Sequence, residues 1–300
     1  MANSITDTYK MKREILNFSK KFSTRLSSPE AKFTADMTYG IVASKSCLLT
    51  QISQRLQENT KKRYTVDRLS DHLAHGIPEE TLTDYLGYIR SITPSEPVIH
   101  IDDSDVIKPE GYHFESLGIV RDGSRSTPEK SVFCKGYHVT EACVLTDSNH
   151  PVSIFSELHS STEKGFTSTN HITFAAMERG AKLFKKATYV MDRGYDDNKI
   201  FQQMWELGQN FVIRLTQKRK MFFHGKWVPA TRLCAQRKGK VKLNLFYKGK
   251  EHEAYISHVK VQLTAAKRDV YLVLVYGITE HPMMLVTNKV ISSKEDVIKI

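Results

Sequence analysis

The chain has 300 residues, of which 40% are hydrophobic and 26% charged, and this composition is ordinary for a globular protein of two or three domains. No apolar run approaches the roughly 18 residues that a membrane span needs, and no apolar segment follows a basic N-terminus, so we expect neither insertion nor export. The four cysteines, Cys47, Cys134, Cys143 and Cys234, form no C-x-x-C pair. That scatter disfavours a zinc site and a disulfide framework, and it favours a reducing, cytoplasmic setting.

Positive charge is concentrated in the last third of the chain, within a formal net charge of +11. Residues 1–97 carry 14 Lys and Arg against 11 Asp and Glu, a net of +3. Residues 98–210 carry 12 against 16, a net of −4, and residues 211–300 carry 18 against 6, a net of +12. A basic flank beside an acidic centre favours a protein that binds nucleic acid and holds cations at its site. The alternative is that the surplus lysines only form a solvated surface.

The first 97 residues are predicted to form a helical domain. Apolar residues recur at helical spacing, first at Ile15, Phe18, Phe22 and Leu26. Ser27 and Glu30 have the spacing of a capping box for the second helix, and Thr65 is expected to cap the fourth. Pro78 is expected to open the fifth helix, and the proline-containing segment 91–97 is the expected linker.

A basic turn lies between the third and fourth predicted helices. Two short helices joined by Lys61, Lys62 and Arg63 resemble a helix-turn-helix unit, with Arg68 near the start of the helix that would read DNA. Any helical bundle contains such turns, so a purely structural role is the alternative. We predict that these four basic side chains contact DNA.

From Val98 onward the pattern predicts a mixed sheet flanked by helices, which is the α/β class. Three strands in a row, near 98–101, 131–145 and 152–155, predict an antiparallel meander, and a helix–strand–helix–strand order follows to residue 215. The polar loop 108–130 contains Arg121 and Arg125, which are candidates for phosphate contacts. A solvated loop would have the same composition.

Residues 216–282 are predicted to form a β-rich insertion that carries most of the surplus positive charge. Phe222 to Trp227 is typical of a hairpin, and Lys248 with Gly249 predicts a turn between two further strands. A short strand at 283–287 and the beginning of a helix at 292–300 are expected to return to the core formed by residues 98–215.

Two apolar strands each lead into acidic residues. The strand that begins at Val98 leads to Asp102 and Asp103, and a later strand leads to Asp192, so both are expected to bring a carboxylate to the end of the sheet. Carboxylates suit Mg²⁺ or Mn²⁺, and two such ions about 4 Å apart support phosphoryl transfer. We choose Asp103 and Asp192 as the catalytic, metal-binding pair and expect their carboxylates to lie about 4–6 Å apart. Asp102 and Asp105 compete with Asp103, and acids at strand ends also commonly form turns or caps.

Three segments resemble bacterial insertion-sequence transposases of the DDE type, in the group with a Y-x2-R-x3-E-x6-K signature. They are Ile101-Asp102-Asp103-Ser104-Asp105-Val106-Ile107-Lys108, Lys135-Gly136-Tyr137-His138 and Met191-Asp192-Arg193-Gly194-Tyr195. The resemblance spans about residues 30 to 300, and the last segment is its most specific part. It implies a ribonuclease-H-like fold, Mg²⁺-dependent cleavage and transfer of DNA strands, and Asp103 and Asp192 as two of three metal-binding acids. It also implies duplex DNA as the partner, a dimer on DNA, and Arg193 among the DNA-binding residues.

The third acid of that group is a glutamate on a helix after the insertion, and no glutamate here matches it. Neither Glu280 nor Glu295 has the tyrosine and arginine at the required spacing. We therefore expect a chain that ends before this glutamate and is inactive alone. Apolar residues at 211–215 and 285–287 would then be exposed.

Two other functions compete with a transposase. One is a DNA-binding transposase fragment that does not cut and instead inhibits or regulates the active protein. The other is a glycosidase that uses paired acids, which the +12 segment and the presence of only two tryptophans, Trp205 and Trp227, disfavour.

Overall fold

The computed structural model describes residues 2–127, 129–264, 267–298 and 300, with the side chains of residues 2–8 left aside. The chain divides into two compact units, Met1–Ile92 and Thr93–Ile300. Every helix among the described residues is too short or too polar to span a bilayer.

The described part of the first unit is helical. Its helices are α1 (Ala2–Lys20), α2 (Ser28–Ser44), α3 (Leu49–Leu56), α4 (Lys62–His75) and α5 (Glu79–Ser91). The predicted capping box begins α2, where the Ser27 N–H donates to Glu30 Oε2 at 2.9 Å. Two helix boundaries were predicted wrongly. Helix α1 ends before Phe22, and α4 begins at Lys62, so Thr65 lies inside the helix, where its hydroxyl donates to Glu58 Oε2 at 2.9 Å.

The core of the first unit lies between α2, α3 and α4. Its buried residues are Phe33, Tyr39, Ile52, Leu56 and Leu69. Gly40 lets α2 and α3 approach closely, because a Cβ at this position would lie 2.3 Å from Ile52 Cγ2. Burial of each large apolar side chain contributes about 1.5–3 kcal/mol, so this cluster stabilises the packing of the three helices.

The second unit is a mixed sheet with helices. Its elements are β1 (Val98–Ile107), β2 (Gly118–Arg121), β3 (Phe133–Leu145), β4 (Pro151–His159), α6 (Thr169–Leu183), β5 (Thr188–Met191), α7 (Asn198–Glu206), β6 (Asn210–Arg214), β7 (Lys220–Phe223), β8 (Lys226–Pro229), α8 (Ala230–Ala235), β9 (Val241–Tyr247), β10 (Lys250–Leu263), β11 (Asp269–Tyr276), β12 (Met283–Thr287) and α9 (Lys294–Ile298). The strand order is β2-β3-β1-β5-β6-β12-β11-β10-β7-β8, with β4 paired to β3 and β9 to β10. Strands β1, β5 and β6 are parallel to one another, and the other pairs are antiparallel. The predicted α/β class is confirmed, and the arrangement is consistent with the ribonuclease-H-like fold that the resemblance implies.

Strand β1 is longer than the sequence predicted. It does not end before Asp102 but continues to Ile107, because β3 pairs with it as far as Ile107 and Gly136. Strand β5 pairs with β1 only as far as Ile101 and Met191. Residues 102–107 therefore form an overhang of β1 that has a strand neighbour only on the β3 side. The expected loop 108–130 also contains an unpredicted strand, β2, which pairs with the beginning of β3.

Helix α6 packs closely against the strands that carry the acids. The Tyr189 hydroxyl of β5 donates to the Met177 carbonyl of α6 at 2.8 Å. A Cβ at Gly180 would lie 2.4 Å from that hydroxyl, so only glycine permits this approach. Ile99 and Ile101 of β1 are buried on the same face as Tyr189. The part of the sheet next to the acids is therefore closely packed against α6.

The segment predicted as an insertion continues the same sheet. Strands β7 to β11 lie within residues 216–282, and β12 joins β11 to β6. The predicted exposure of residues 211–215 and 285–287 is wrong, since Phe211, Val212, Ile213, Leu215, Met284, Val286 and Thr287 are buried. Helix α7 covers part of β6, because the ring centres of Phe201 and Trp205 lie 5.4 and 5.6 Å from the ring centre of Phe211. A second buried cluster joins β10 and β11 to Ile291 and Val297.

Candidate active site and nucleic-acid interface

The pairing of β1 with β5 places the predicted acids at the same edge of the sheet. The parallel register runs from Val98 opposite Thr188 to Ile101 opposite Met191. Asp102 directly follows Ile101, and Asp192 directly follows Met191, so these two acids are the next residues along the two paired segments. Asp103 follows Asp102. Parallel neighbours end at the same edge, so the topology brings these acids together.

The electrostatics of this edge also indicate that the acids are close to one another. Partial burial raises the pKa of Asp102, and the negative charges of Asp192 and Asp103 raise it further. All three side chains are exposed enough to meet a ligand from solvent. The separation of about 4–6 Å between Asp103 and Asp192 stays a prediction.

Asp102 and Asp103 point to opposite faces, as strand alternation requires. Asp103 lies opposite Thr140 of β3, and Asp102 lies opposite Glu141. The Thr140 hydroxyl donates to Asp103 Oδ1 at 2.6 Å, and Thr140 is fully buried. Asp102 instead accepts the backbone N–H of Asp103 at 3.0 Å. A side-chain donor thus holds the Asp103 carboxylate, whereas the charge of Asp192 acts on Asp102, so the choice of Asp103 stays a prediction.

A tight turn carries Asp192 away from β5. The turn is a 3-10 helix, Arg193–Tyr195, and Asp192 Oδ1 accepts the Gly194 N–H at 2.6 Å. A Cβ at Gly194 would lie 2.9 Å from Asp192 Oδ1, so the glycine lets the carboxylate fold back on its own turn.

Tyr195, at the end of that turn, is buried beside the acids. Burial raises its pKa, and the negative charge of Asp103 adds to the effect. Hydrogen bonding to the Asp103 carboxylate raises the pKa further, so the Tyr195 hydroxyl lies beside that acid, and Tyr195 is only 6% exposed.

A buried ion pair between Asp196 and Arg219 holds the turn in place, and the sequence analysis did not predict this pair. Asp196 Oδ1 accepts from Arg219 Nε at 2.7 Å, and its Oδ2 accepts from the Thr216 backbone N–H and hydroxyl, both at 2.8 Å. The Asp196 and Arg219 side chains are 1% and 12% exposed. Arg219 belongs to the basic segment 211–300, and nothing in its local pattern sets it apart from the solvated lysines around it.

The predicted DNA-binding residues do not all share one environment. Lys61, Lys62 and Arg63, here called the basic turn, cap and begin α4 and are exposed. Arg121 and Arg125 are exposed at the end of β2 and in the loop after it, and Arg193 is exposed next to Asp192.

Arg68 differs from the other basic candidates because its charge is already paired. Its Nη2 atom donates to Asp36 at 2.8 Å and to Glu58 at 3.1 Å. Lys32 Nζ joins the same two carboxylates, at 2.7 Å from Asp36 and 2.5 Å from Glu58. The guanidinium thus holds α4 against α2, and we leave it out of the DNA contact proposed below.

A cavity of about 640 Å³ opens beside the Asp192 turn. Its cationic lining comes from Arg193, Arg214 and Lys218, and Met283 and Met284 supply part of an apolar wall. The cations give the surface next to the acids a positive potential that suits a phosphate backbone.

The donor set at the acidic edge fits a hard divalent cation. Mg²⁺ is usually held by one or two carboxylates together with water and substrate phosphate oxygens, and Asp103 and Asp192 supply two carboxylates. The Tyr195 hydroxyl adds a hydrogen-bond donor beside Asp103. Within the described ranges, however, no three His, Cys, Asp or Glu side chains are grouped closely enough to hold a metal ion by themselves.

Comparisons with known proteins identify the family. A family profile described as the transposase DDE domain matches residues 94–300. A search of curated proteins found no match. The cryo-electron microscopy structure of a piggyBac transposase synaptic complex with hairpin DNA is similar at 10% identity, with a TM-score of 0.40, over 96% of this chain and 60% of that one. This chain thus spans 60% of the length of that transposase chain. Because the profile covers the acidic edge and all the strands of the sheet, the chain belongs to the transposase DDE domain family.

Proposed function

We propose that this protein is a DNA transposase that cleaves and transfers DNA strands with Mg²⁺ or Mn²⁺ bound between Asp103 and Asp192. The observation that carries the proposal is the parallel pairing of β1 with β5, which brings both carboxylates to one edge of the sheet. Divalent ions bound there would activate the attacking oxygen and stabilise the leaving oxygen of an in-line phosphoryl transfer.

The residues around the acids have separate tasks in this proposal. Thr140 and the Gly194 N–H hold the two carboxylates, and the Asp196–Arg219 ion pair keeps the 192–196 turn in place. Arg193, Arg214 and Lys218 contact phosphates beside the site. Pre-organisation of this kind lowers the entropy lost when DNA and acids are aligned.

Duplex DNA is the proposed partner of both units. In the first unit the basic turn meets the phosphate backbone, and in the second unit Arg121 and Arg125 extend the basic surface. Bringing two transposon ends together would require a dimer on DNA, as the resemblance implies. A nucleoid-associated, cytoplasmic location follows from that substrate.

The test is cleavage of a supercoiled plasmid that carries the DNA flanking the coding sequence, in Mg²⁺ or Mn²⁺. In contrast to the expectation of an inactive chain drawn from the missing third acid, nicked and linear products should appear with the unmodified chain and fall to background in Asp103→Asn and Asp192→Asn, while DNA binding is retained. Asp147→Asn, in the exposed turn between β3 and β4, is the matched control. Metal-independent products, or full cleavage by Asp192→Asn, would contradict the proposal.

A second candidate is a DNA-binding protein that does not cut and that regulates an active transposase. One observation favours it, namely that the described residues include no group of three side chains able to hold a metal ion. It predicts salt-dependent DNA binding with no cleavage in either metal. Specific nicking that disappears in Glu295→Gln would instead identify Glu295 as a third acid.

A further inference from the structure

A chain of polar side chains runs from Asp103 into the interior across three strands. Asp103 of β1 accepts from the Thr140 hydroxyl of β3 at 2.6 Å. Thr140 Oγ1 lies 3.0 Å from His159 Nε2 of β4. Thr140 is 0% exposed and His159 is 2% exposed, so both side chains are buried behind the exposed Asp103.

The chemistry of these groups fixes the direction of both hydrogen bonds. An ionised carboxylate only accepts, so the Thr140 proton points to Asp103. The Thr140 oxygen must then accept, and His159 Nε2 must carry the hydrogen. His159 therefore carries a hydrogen on Nε2, and its Nδ1 atom has no partner among the described residues.

The surroundings of His159 hold the plane of its ring. Burial and the nearby His138 lower its pKa, against the opposing charges of Asp103, Glu157 and Glu163. The ring stacks with His138 and with Phe166, at centroid distances of 5.7 and 6.0 Å. The stacks fix the plane, and the contact with Thr140 fixes which edge of the ring faces β3.

We propose that Thr140 and His159 are positioning residues that hold the Asp103 carboxylate in the orientation needed to bind a divalent cation. This inference rests on the proposed function. Thr140 donates to Oδ1 and so sets the orientation of the carboxylate before an ion binds. Residues that hold a metal-binding side chain from behind typically change metal affinity or activity by about 10–100-fold when they are replaced.

The competing explanation is that both side chains only fill the space between β3 and β4. A filling role depends on volume, whereas a positioning role depends on the hydroxyl. Thr140→Val keeps the shape and removes the hydroxyl, and Thr140→Ser keeps the hydroxyl and removes a methyl group. The pair therefore separates the two explanations.

The experiment measures Mn²⁺ binding to the full chain by electron paramagnetic resonance of the free ion, without DNA. We expect affinity to fall about tenfold or more in Thr140→Val and to be restored in Thr140→Ser. Thr173→Val is the matched control, since Thr173 is a buried threonine whose hydroxyl donates only to the Thr169 backbone carbonyl.

A double variant keeps the measurement available if Thr140→Val does not fold. Thr140→Val with His159→Phe replaces both partners by apolar groups and leaves no buried N–H unsatisfied. It should fold and still bind Mn²⁺ about tenfold or more weakly. Proton–nitrogen correlation spectra of the histidine rings should show His159 protonated at Nε2, assigned by its absence in His159→Phe.

The outcomes separate this inference from the proposed function. Equal Mn²⁺ affinity in the unmodified chain, Thr140→Val and the double variant would overturn the positioning role and leave the proposed function standing. A His159 ring without hydrogen on Nε2 would also overturn the positioning role alone. Failure of the unmodified chain to bind Mn²⁺ would overturn the proposed function, and the positioning role with it.

Discussion

Replacement of Arg219 by alanine tests whether the buried ion pair fixes the turn that carries Asp192. Asp196 would keep its two hydrogen bonds from Thr216 and lose its counter-charge, while its side chain is only 1% exposed. Removing one partner of a buried ion pair typically costs about 3–5 kcal/mol, because an uncompensated charge stays buried. The guanidinium also lies 5.4 Å from the centre of the Phe201 ring, so some packing is lost as well. We expect the free energy of unfolding of the second unit to fall by about 3–5 kcal/mol.

Tryptophan fluorescence during guanidinium unfolding measures this change in the correct unit. The only tryptophans, Trp205 and Trp227, both lie within residues 93–300. Lys260→Ala is the control, because it breaks an exposed ion pair with Asp269 and should leave the transition unchanged within error. A loss below about 1 kcal/mol in Arg219→Ala would refute the argument, since it would mean that water reaches Asp196 as easily as it reaches a surface carboxylate.

Three further predictions concern DNA binding, pH and a strand contact. Alanine at all three positions of the basic turn should flatten the salt dependence of DNA binding by about 0.9 per lost phosphate contact, and an unchanged slope in filter binding would remove the turn from the interface. Hydrogen bonding to Lys32 holds the pKa of Glu58 at about 2, below its ordinary 4.5, so its stabilisation is complete above pH 4.5 and is lost as pH falls towards 2. Thermal unfolding followed by circular dichroism should show this loss, and Glu58→Gln should reduce it; equal pH dependence in both proteins would contradict it. Gly136→Ala should lower the melting temperature more than Gly123→Ala. A Cβ at Gly136 would lie 2.5 Å from the backbone oxygen of Val106 in β1, whereas a Cβ at Gly123 would meet nothing within 4 Å. Equal melting temperatures of the two variants would refute this prediction.

The sequence correctly predicted features that depend on interactions between residues close together in the chain. The capping box at Ser27 and the apolar strand before Asp192 depend on a few neighbouring residues, and both predictions are confirmed. The extent of β1 was missed because residues 102–107 are mostly polar, and only their pairing with β3 makes them a strand. Pairing between distant segments cannot be inferred from the alternation of a single segment.

The same limit applies to the candidate site. The two acids could be chosen because each follows an apolar run. Thr140 and His159 have no local signal, since their role depends on the register of β1 with β3 and of β3 with β4. Arg68 illustrates the same limit, because the sequence does not show that its charge is paired with Asp36 and Glu58, and its contact with DNA stays a prediction.

Strand β12 has a consequence for how this protein is made on the ribosome. Strands β6 and β11 each have β12 as one of their two neighbours, and β12 follows both of them in the chain. Until residues 283–287 leave the exit tunnel, the nascent chain holds two separate half-sheets, each with an open edge of unpaired N–H and C=O groups. Such edges pair readily with other chains, and contacts between distant segments form slowly. Docking of this five-residue strand is therefore the step that turns two aggregation-prone halves into one sheet.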